Sequence, residues 1–536
     1  MVKFNTISLM MDELTQLRKR ITNSFKLSGF LIRSENSIYL AEQLLPFEPA
    51  EREKWMTVIT ENLQGQKLAT PHVEREALEK AINELNRVGL DEGETVFALI
   101  DAFTVPRFRY NSRIKKFERD GQPRSLLSEP RMKADYLQQR YAMLLQKTLR
   151  HDLFAPAVIQ DGVASEAQTK KFKLQFAENL LATSNLKEAV ILGLLTQLKE
   201  GKFYVEDPTG CVQLDLSGAR YHAGFFCEGC FVLAEGSYAN GILKVDGLGF
   251  PPAEPASSSR AFFGTGNTWG GESAKLLKYS PRLQELERSN TETTLVFLSD
   301  VRLDLPVVME KLRQLFVGYD SCPPQAIVLM GAFTASTRNH HELRQHLDAL
   351  GALAAGCDQL KKQTDLILVP SAEDPTAPNI FPRAPLPECL AAGLLKAWPR
   401  TQLATNPCRL QYCTQQIVVC RLDLMAKFCR NTLHFPPDTT HIEQHFARTL
   451  VCQGHLVPIH PIAMPVHWDY DPALWLYPLP DLVVMGDSCQ SFASTQHGCT
   501  VLNTGSFVKS KFAFKVYIPD TRTVEDSEIP GDTDMS

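Results

Sequence analysis

The sequence lacks most of the features that would assign a chemistry from composition alone. No apolar run approaches the roughly 20 residues that a membrane-spanning helix requires, and no Gly-x-x-x-x-Gly-Lys-Ser/Thr phosphate loop occurs. The formal net charge is only -5, from 56 basic and 61 acidic residues. A chain with this balance is not built to coat nucleic acid by charge alone, although a local basic patch is compatible with it.

The cysteines are poorly arranged for a metal site or a disulfide framework. Thirteen are scattered along the chain, and the Cys-x-x-Cys pair at Cys227 and Cys230 has no second pair at zinc-site spacing. No secretory leader is recognisable at the start of the sequence. We therefore expect an intracellular chain with reduced thiols, in which Cys227 and Cys230 are buried structural residues.

Histidine spacing gives little support for a zinc hydrolase. His341 and Glu342 begin a helical pattern, but the next histidine, His346, follows His341 by five residues. Five residues turn a helix by about 500°, so the two imidazoles do not share a face. Three further histidines cluster later in the chain, at His455, His460 and His467. A residual metal site that borrows one of these three stays open as an alternative.

A recurring apolar run that ends in a small residue or an acid is the dominant pattern. Leu295–Leu298 leads into Ser299 and Asp300, and similar runs lie at 327–330, 366–369 and 482–485. Such runs predict buried strands whose C-terminal ends lie at one edge of a sheet, where open α/β folds carry their chemistry. Helical stretches at 305–316 and 341–362 alternate with the strands, which is typical of an α/β sandwich.

The residues at these strand ends are mostly of the wrong type for a two-metal hydrolase. Two neighbouring cations need a bridging carboxylate and neutral imidazoles to activate a water. Asp300 is suitable, but Arg302 carries a charge that repels a metal ion. The other strand ends hold Ala332, Glu373, Asp374, Asp487 and Cys489. We expect Asp304 and Asp487 to be hydrogen-bonded loop acids, and a carboxylate-rich metal site is the alternative.

This arrangement resembles the calcineurin-like metallophosphoesterase fold without its metal ligands. In that family the four loops carry Asp-x-His, Gly-Asp, Gly-Asn-His and Gly-His-x-His. Further segments resemble the B subunits of the replicative DNA polymerases, those of polymerase epsilon in particular: Gln411–Val419, Tyr477–Val484, Asn503–Phe507 and Thr523–Ser527. Family members often have Asn-Pro-Gly-Ser where this chain has Asn503-Thr504-Gly505-Ser506. The resemblance extends over nearly the whole chain.

The resemblance implies a multidomain α+β protein. The predicted domains, in chain order, are a helical N-terminal module similar to the lid of AAA+ ATPases (13–90), a linker and helix (91–165), an OB-fold β-barrel (166–250), a loop or linker (251–289), an inactive phosphoesterase-like α/β sandwich (290–520), and an acidic tail (521–536). We expect the tail to end in disorder. Proline-rich residues 376–409 are predicted to form loops within the sandwich.

Local patterns support the first and third of these domains. Apolar residues at three- and four-residue steps predict helices from Glu13 onward, including Ser37–Leu45, Ala50–Leu63 and Pro71–Val88, the last with Thr70 as its N-cap. Five short strands are predicted in the OB region: Ala189–Leu198, Lys202–Glu206, Cys211–Leu216, Cys230–Glu235 and Ile242–Gly247.

Two stretches combine aromatic and basic residues, as single-strand nucleic-acid binders do. Segment 107–119 contains Arg107, Arg109, Arg113, Lys115, Lys116 and Arg119 among Phe108, Tyr110 and Phe117. The OB region contains aromatics at Phe203, Tyr204, Tyr221, Phe225 and Phe226, with cations at Lys199, Lys202, Arg220 and Lys244. For segment 107–119 the alternatives are a solvated linker and a segment that binds a neighbouring protein. For the OB region the alternative is a barrel that serves as a protein-docking scaffold.

The function implied by the resemblance is that of a non-catalytic accessory subunit in nuclear DNA replication. It would hold the cysteine-rich C-terminal region of the polymerase epsilon catalytic subunit, and its N-terminal module would link to the replicative helicase assembly. No catalytic, cofactor-binding or metal-binding residue is assigned, and we expect no cofactor, no membrane contact and at most weak DNA contact. The alternatives are a single-stranded-DNA-binding OB module and a metal-dependent phosphoesterase or nuclease with a carboxylate-rich site.

Overall fold

The computed structural model describes residues 2–44, 94–155, 172–264, 266–273, 275–335 and 339–529, with isolated positions between 52 and 78. The chain divides into two compact units, Met1–Glu94 and Thr95–Ser536. Across these described ranges, no helix combines the length and the apolar character that crossing a membrane requires.

The described residues of the first unit form helices and a short pair of strands. Helix α1 spans Val2–Leu27 and α2 spans Ser34–Leu44. Strand β1 (Leu31–Ile32) pairs in parallel with β2 (His72–Val73). The core of the unit includes Ile21, Phe25, Leu40, Ala41 and Leu63, which are almost fully buried.

Two predictions for this unit need comment. The helix predicted from Pro71 does not begin there, because His72–Val73 is a strand held by backbone hydrogen bonds to β1. The module is therefore not purely helical. Most of the helices predicted at 50–63 and 71–88, and the cap at Thr70, lie outside the described residues.

The predicted linker region contains ordered strands. Strand β3 (Phe97–Asp101) pairs antiparallel with β17 (Cys408–Tyr412) and so joins the sandwich. Strands β4 (Phe108–Asn111) and β5 (Lys116–Arg119) form an antiparallel hairpin. Helix α3 (Arg131–Arg150) matches the predicted helix in this region.

Residues 174–249 form a closed barrel, and the OB-fold prediction is confirmed. Strands β12, β11, β7, β8 and β9 are neighbours in that order, and β12 closes the barrel by pairing in parallel with β9. Their ranges are Asn185–Lys199 (β7), Lys202–Asp207 (β8), Gly210–Asp215 (β9), Phe231–Ala239 (β11) and Ile242–Gly249 (β12). Short strands β6 (Leu174–Gln175) and β10 (Arg220–Tyr221) and helix α4 (Ala177–Leu181) complete it. Each of the five predicted strands overlaps one of the main strands.

Two six-stranded sheets build the α/β sandwich. Sheet I runs, in order, through β16 (Thr401–Leu403), β15 (Asp365–Val369), β14 (Ala326–Met330), β13 (Leu295–Leu298), β22 (Ala513–Ile518) and β23 (Thr523–Glu528). Sheet II runs through β20 (Phe492–Gln496), β21 (Cys499–Asn503), β19 (Leu482–Met485), β18 (Gln415–Cys420), β17 and β3. Strands β13 to β16 are parallel, as short continuous apolar runs predict.

Helices cover the outer faces of both sheets. Apolar side chains of sheet I pack against α7 (Pro306–Asp320), α8 (His340–Leu353), α9 (Asp358–Gln363) and α10 (Glu388–Ala397). Helices α11 (Met425–Asn431) and α12 (Ile442–Gln453) contribute to the core on the outer face of sheet II. Helices α5 (Ala256–Arg260) and α6 (Pro281–Ser289) lie in the connections. The connections also contain 3-10 turns at Ala102–Thr104, Leu277–Tyr279, Thr439–His441 and Trp468–Leu474.

The barrel and the sandwich share one hydrophobic core. A continuous cluster of buried side chains runs from Ile191 and Val232 in the barrel to Val483 and Val501 in sheet II. At the junction, the rings of Phe225 and Phe428 stack with centroids 5.5 Å apart. Burial of apolar area contributes about 25 cal/mol per Å², so this cluster stabilises the two parts as one body.

Two further predictions are corrected by the structure. Residues 376–409 are not all loop, because α10, β16 and the start of β17 lie among them. Pro387 and Pro399 flank α10 rather than interrupt it, which proline permits at helix boundaries. The tail begins with an ordered strand, since β23 pairs with β22.

Candidate functional site

The carboxyl ends of strands from both sheets meet at one place. A Cβ atom on Gly486, which follows β19, would lie 2.6 Å from Ser299 Oγ and 2.8 Å from Met330 Sδ. Ser299 follows β13, and Met330 is the last residue of β14, both in the other sheet. Only glycine accommodates this approach, so Gly486 is fixed by packing. The loops in which the sequence predicts a lost metal site are therefore close neighbours.

Arg421 fills the space between these strand ends. It follows β18, and its guanidinium donates to the carbonyl oxygens of Gly331 and Gly486, the latter at 2.6 Å. The same group lies 3.1 Å from the Asp423 carboxylate, and the side chain is only 3% exposed. Burial of a cation is costly unless hydrogen bonds and a counter-ion compensate it, and Arg421 has both.

The sequence analysis missed Arg421 as a site residue. The available signal was a basic residue placed directly after the buried strand β18, where the preceding residues are all buried. A charge at such a position requires specific partners. The partners themselves, two glycine carbonyls from distant loops, have no side-chain signature in the sequence.

Arg302, whose charge the sequence analysis expects to repel a metal ion, is paired with Asp304. It forms two hydrogen bonds to Asp304, at 2.9 and 2.7 Å. The Arg302 guanidinium holds the pKa of the Asp304 carboxyl below its usual range. Asp300 accepts a hydrogen bond from Ser506 Oγ at 2.6 Å. The prediction that Asp304 is a hydrogen-bonded loop acid is confirmed.

Asp487 caps a helix. Its Oδ2 accepts from the backbone N–H groups of Leu424 and Met425, each at 2.7 Å, where α11 begins. Its Oδ1 accepts from the N–H of Cys489 at 3.0 Å. A carboxylate at a helix N-terminus satisfies orphan donors and complements the helix dipole. The loop-acid prediction for Asp487 is also confirmed.

Asp374 ties two neighbouring loops together. Its two carboxylate oxygens accept from the N–H groups of Phe333 and Ser371, each at 2.7 Å. Burial raises the pKa of this carboxyl, although the two N–H donors oppose the rise. Ala332 is buried beside it and offers no ligand atom. Among the described residues, no group of three or more His, Cys, Asp or Glu side chains is placed to hold a metal ion.

The three clustered histidines have separate partners. His455 donates from Nε2 to Asp471 at 3.0 Å and accepts at Nδ1 from Val457 N–H at 3.0 Å. Burial lowers the pKa of His455, which stays neutral. His460 accepts from the N–H of Ile462, and His467 lies against the carbonyl of Leu126.

The remaining metal-like motifs have structural roles. Asn339 caps α8 by accepting from the N–H groups of His341 and Glu342. Cys227 and Cys230 are fully buried, and Cys230 Sγ lies 2.9 Å from the carbonyl oxygen of Pro458. Burial raises the pKa of the Cys230 thiol to about 12. The prediction of buried structural thiols is confirmed.

The barrel aromatics are largely engaged inside the protein. Phe225 and Phe226 are fully buried. Phe226 stacks on Phe250 with centroids 4.4 Å apart, and Tyr221 stacks on His434 at 4.6 Å. Base stacking needs an exposed aromatic face, and these rings present their faces to other protein rings.

Three protein-family models match the chain. One describes the N-terminal region of DNA polymerases epsilon (residues 13–85), and another the OB-fold domain of proteins like DNA polymerase epsilon subunit 2 (130–252). The longest match, over residues 295–494, is to the B subunits of DNA polymerases alpha and epsilon. The OB-fold model covers the barrel seen in the structure, and the longest match covers most of the sandwich.

Curated relatives match over almost the whole chain. DNA polymerase epsilon subunit 2 of Drosophila melanogaster is 90% identical over 97% of this chain and 99% of the relative. The Homo sapiens subunit 2 is 42% identical over 96% of this chain and 99% of the relative. A solved archaeal phosphodiesterase matches 44% of this chain and 100% of its own at 8% identity, with a TM-score of 0.25, a likeness too low to support a conclusion.

The structure joins an OB barrel to a two-sheet sandwich, and the family models match these two domains in the same order along the chain. This combination defines the class of accessory subunits of replicative polymerases. The chain belongs to the family of DNA polymerase epsilon subunit 2. The prediction of an accessory subunit of the replicative polymerase is confirmed.

Proposed function

We propose that this chain is a non-catalytic scaffold in the polymerase epsilon complex. Its barrel and sandwich hold the cysteine-rich C-terminal region of the catalytic subunit, and polymerase activity lies in that other subunit. The N-terminal module, a lid-like helical domain in this proposal, links the complex to the replicative helicase assembly. The site of action is the nucleus.

The observation that carries the non-catalytic role is the position of Arg421. A two-metal hydrolase needs the space at its strand ends for two cations and an activated water. Here a buried guanidinium takes that space and donates to the carbonyl oxygens of Gly331 and Gly486. Two like charges a few Å apart repel strongly where water is excluded, so Arg421 disfavours metal binding.

The engagement of the acids supports the same proposal. Asp487 accepts three backbone hydrogen bonds, and both oxygens of Asp374 accept from loop N–H groups. If these carboxylates turned away from their donors to bind a metal, buried N–H groups would be left unpaired. Each unpaired N–H group would cost about 1–3 kcal/mol of stability. The framework of a hydrolase is thus used here to fix loops.

The shared core supports the scaffold role. Apolar side chains run without a break from the barrel into sheet II. A partner that binds across both parts meets a surface whose two halves are already fixed relative to each other. Such preorganisation lowers the entropic cost of association.

The enzyme alternative is tested by a phosphodiesterase assay. The purified chain is incubated with Mn²⁺ and bis-p-nitrophenyl phosphate, beside an Asp300→Ala variant. We expect no Mn²⁺-dependent turnover by either protein. Turnover by the natural chain that disappears in Asp300→Ala would establish a metal-dependent phosphoesterase and overturn the non-catalytic role.

The scaffold role is tested by co-expression with the catalytic subunit. We expect the two chains to co-purify at equal stoichiometry, and a catalytic subunit that lacks its C-terminal cysteine-rich region not to bind. Deletion of residues 1–94, which form the first unit, leaves this association intact if the barrel and sandwich carry it. Retention of binding by the shortened catalytic subunit would contradict the proposed contact.

A further inference from the structure

The β4–β5 hairpin carries two sets of cations with different surroundings. At its base, Arg107 Nε lies 2.9 Å from Asp120, and Arg109 forms hydrogen bonds of 2.9 and 2.7 Å to Asp135. These two arginines are neutralised by neighbouring acids. They are therefore used to build the fold, and they leave little charge for an external ligand.

At the tip of the hairpin the charges are free. The side chains of Arg113, Lys115 and Lys116 lie at or beside the turn and are exposed, and Arg119, which is also exposed, follows on the same strand opposite Phe108. In the described part of the chain none of these four side chains forms an ion pair. The neighbouring acid, Glu118, accepts a hydrogen bond from Asn111 at 2.9 Å. Four cations within seven residues stand out in a chain whose net charge is -5.

The tip is held on a rigid base. The ring of Phe117 stacks on Phe263 with centroids 4.3 Å apart, and Phe108 contacts the same ring edge-on at 5.3 Å. The Phe117 N–H also donates to the carbonyl oxygen of Phe262 at 2.8 Å. Because the base is packed into the protein, the cations project from a fixed point, and ordering the hairpin on binding costs little entropy.

We infer that this hairpin tip contacts the phosphate backbone of nucleic acid without reading its sequence. Phosphates offer regularly spaced negative charges, and exposed lysines and arginines neutralise them in any sequence context. Phe108 and Phe117 are buried and Tyr110 is half-buried against Phe117, so the hairpin presents no fully exposed ring for base stacking. The contact is therefore electrostatic.

The composition of the tip favours a nucleic acid over an acidic protein segment. Protein interfaces have a core of apolar and aromatic side chains surrounded by a polar rim. The tip offers one exposed apolar side chain, Ile114, with cations on both sides. Such a surface lacks the apolar core that a peptide partner needs. The inference goes beyond the scaffold role and does not depend on it.

The test measures DNA affinity against salt concentration with the full chain. A labelled oligodeoxythymidylate and a duplex of equal length are titrated by fluorescence anisotropy. In one variant, Arg113, Lys115, Lys116 and Arg119 are all replaced by glutamine. In the matched control, the four exposed barrel cations Lys199, Lys202, Arg220 and Lys244 are replaced by glutamine, so both variants lose the same charge.

We expect the natural chain to bind with a marked salt dependence and the barrel variant to behave in nearly the same way. Each lost phosphate contact reduces the slope of log K against log salt by about 0.7 for single strands and about 0.9 for duplexes. The hairpin variant should therefore lose a slope of about 3 and at least tenfold in affinity. If the hairpin variant loses more affinity for the oligodeoxythymidylate than for the duplex, the hairpin contacts a single strand, and the reverse result indicates a duplex.

Three results would overturn the inference. They are no salt-dependent binding by the natural chain, an equal loss in both variants, and a loss confined to the barrel variant, which would point to the OB face instead. Thermal unfolding of both variants should match that of the natural chain, because the eight replaced side chains are exposed.

Discussion

The guanidinium of Arg421 donates to the carbonyl oxygen of Gly486 at 2.6 Å. This contact joins the residue after β18 to the residue after β19, and the same side chain reaches Gly331 in the other sheet. One arginine thus links the edges of two sheets that also contact each other through apolar side chains and through a hydrogen bond from Tyr517 to Gln415. Its importance for stability can be measured directly.

Replacing Arg421 with methionine should destabilise the protein by about 3 kcal/mol, because two buried carbonyl groups and Asp423 lose their donor. Urea unfolding followed by tryptophan fluorescence gives the free energy of unfolding. Arg430→Met is the matched control, since Arg430 is exposed in the last turn of α11 and should change stability by less than about 0.5 kcal/mol. Equal effects of the two substitutions would show that Arg421 does not link the sheets.

Stability should fall in mild acid because of His455. Burial holds the pKa of this histidine below its ordinary value in the folded protein. In the unfolded chain a histidine has a pKa of about 6.5. Between about pH 7.5 and 5.5 the unfolded chain therefore binds a proton at His455 that the folded chain does not bind. The free energy of unfolding then rises with pH, by at most about 1.4 kcal/mol per pH unit from this one group.

The check is a series of urea unfolding experiments over that pH range. His455→Gln should be less stable at neutral pH, because Asp471 and Val457 lose hydrogen bonds, but it should show a shallower dependence on pH. His341→Gln, at an exposed position on α8, should retain the full dependence. An unchanged slope in His455→Gln would assign the acid sensitivity to other groups.

Gly229→Ala should weaken the junction between the barrel and the segment around His460. A Cβ atom at this position would lie 2.4 Å from the backbone nitrogen of His460, and the backbone φ angle is +91°. Overpacking and the left-handed conformation together should cost about 3 kcal/mol. Thermal unfolding of both variants is the measurement, and Gly218→Ala, where no atom lies within 4 Å of the added Cβ, should be nearly neutral.

Much of the sandwich was predictable because its signals are local. The apolar runs at 295–298, 327–330, 366–369 and 482–485 all lie in strands, since continuous burial of a parallel strand leaves a readable pattern. The strands of the OB barrel were also found, from short β-type runs separated by turn residues. Asp487 was correctly predicted as a loop acid for the same local reason, its place directly after a strand.

The errors arose where distant contacts decide the structure. Arg421 depends on carbonyl oxygens 90 and 65 positions away, which no local pattern encodes. Segment 107–119 was treated as one basic stretch, yet Asp120, Asp135 and Asp469 neutralise its first two arginines and leave the tip exposed. Strand β3 was assigned to a linker because its partner, β17, follows about 300 residues later.

The pairing of β3 with β17 has a practical consequence for shortened versions of the protein. Phe97–Asp101 occupies the outer edge of sheet II and satisfies the backbone groups of Cys408–Tyr412. A chain that began after Asp101 would expose that row of unpaired amides and carbonyls, and such an edge recruits strands from other molecules. A chain that begins at Thr95 keeps β3 paired with β17 and avoids this route to aggregation.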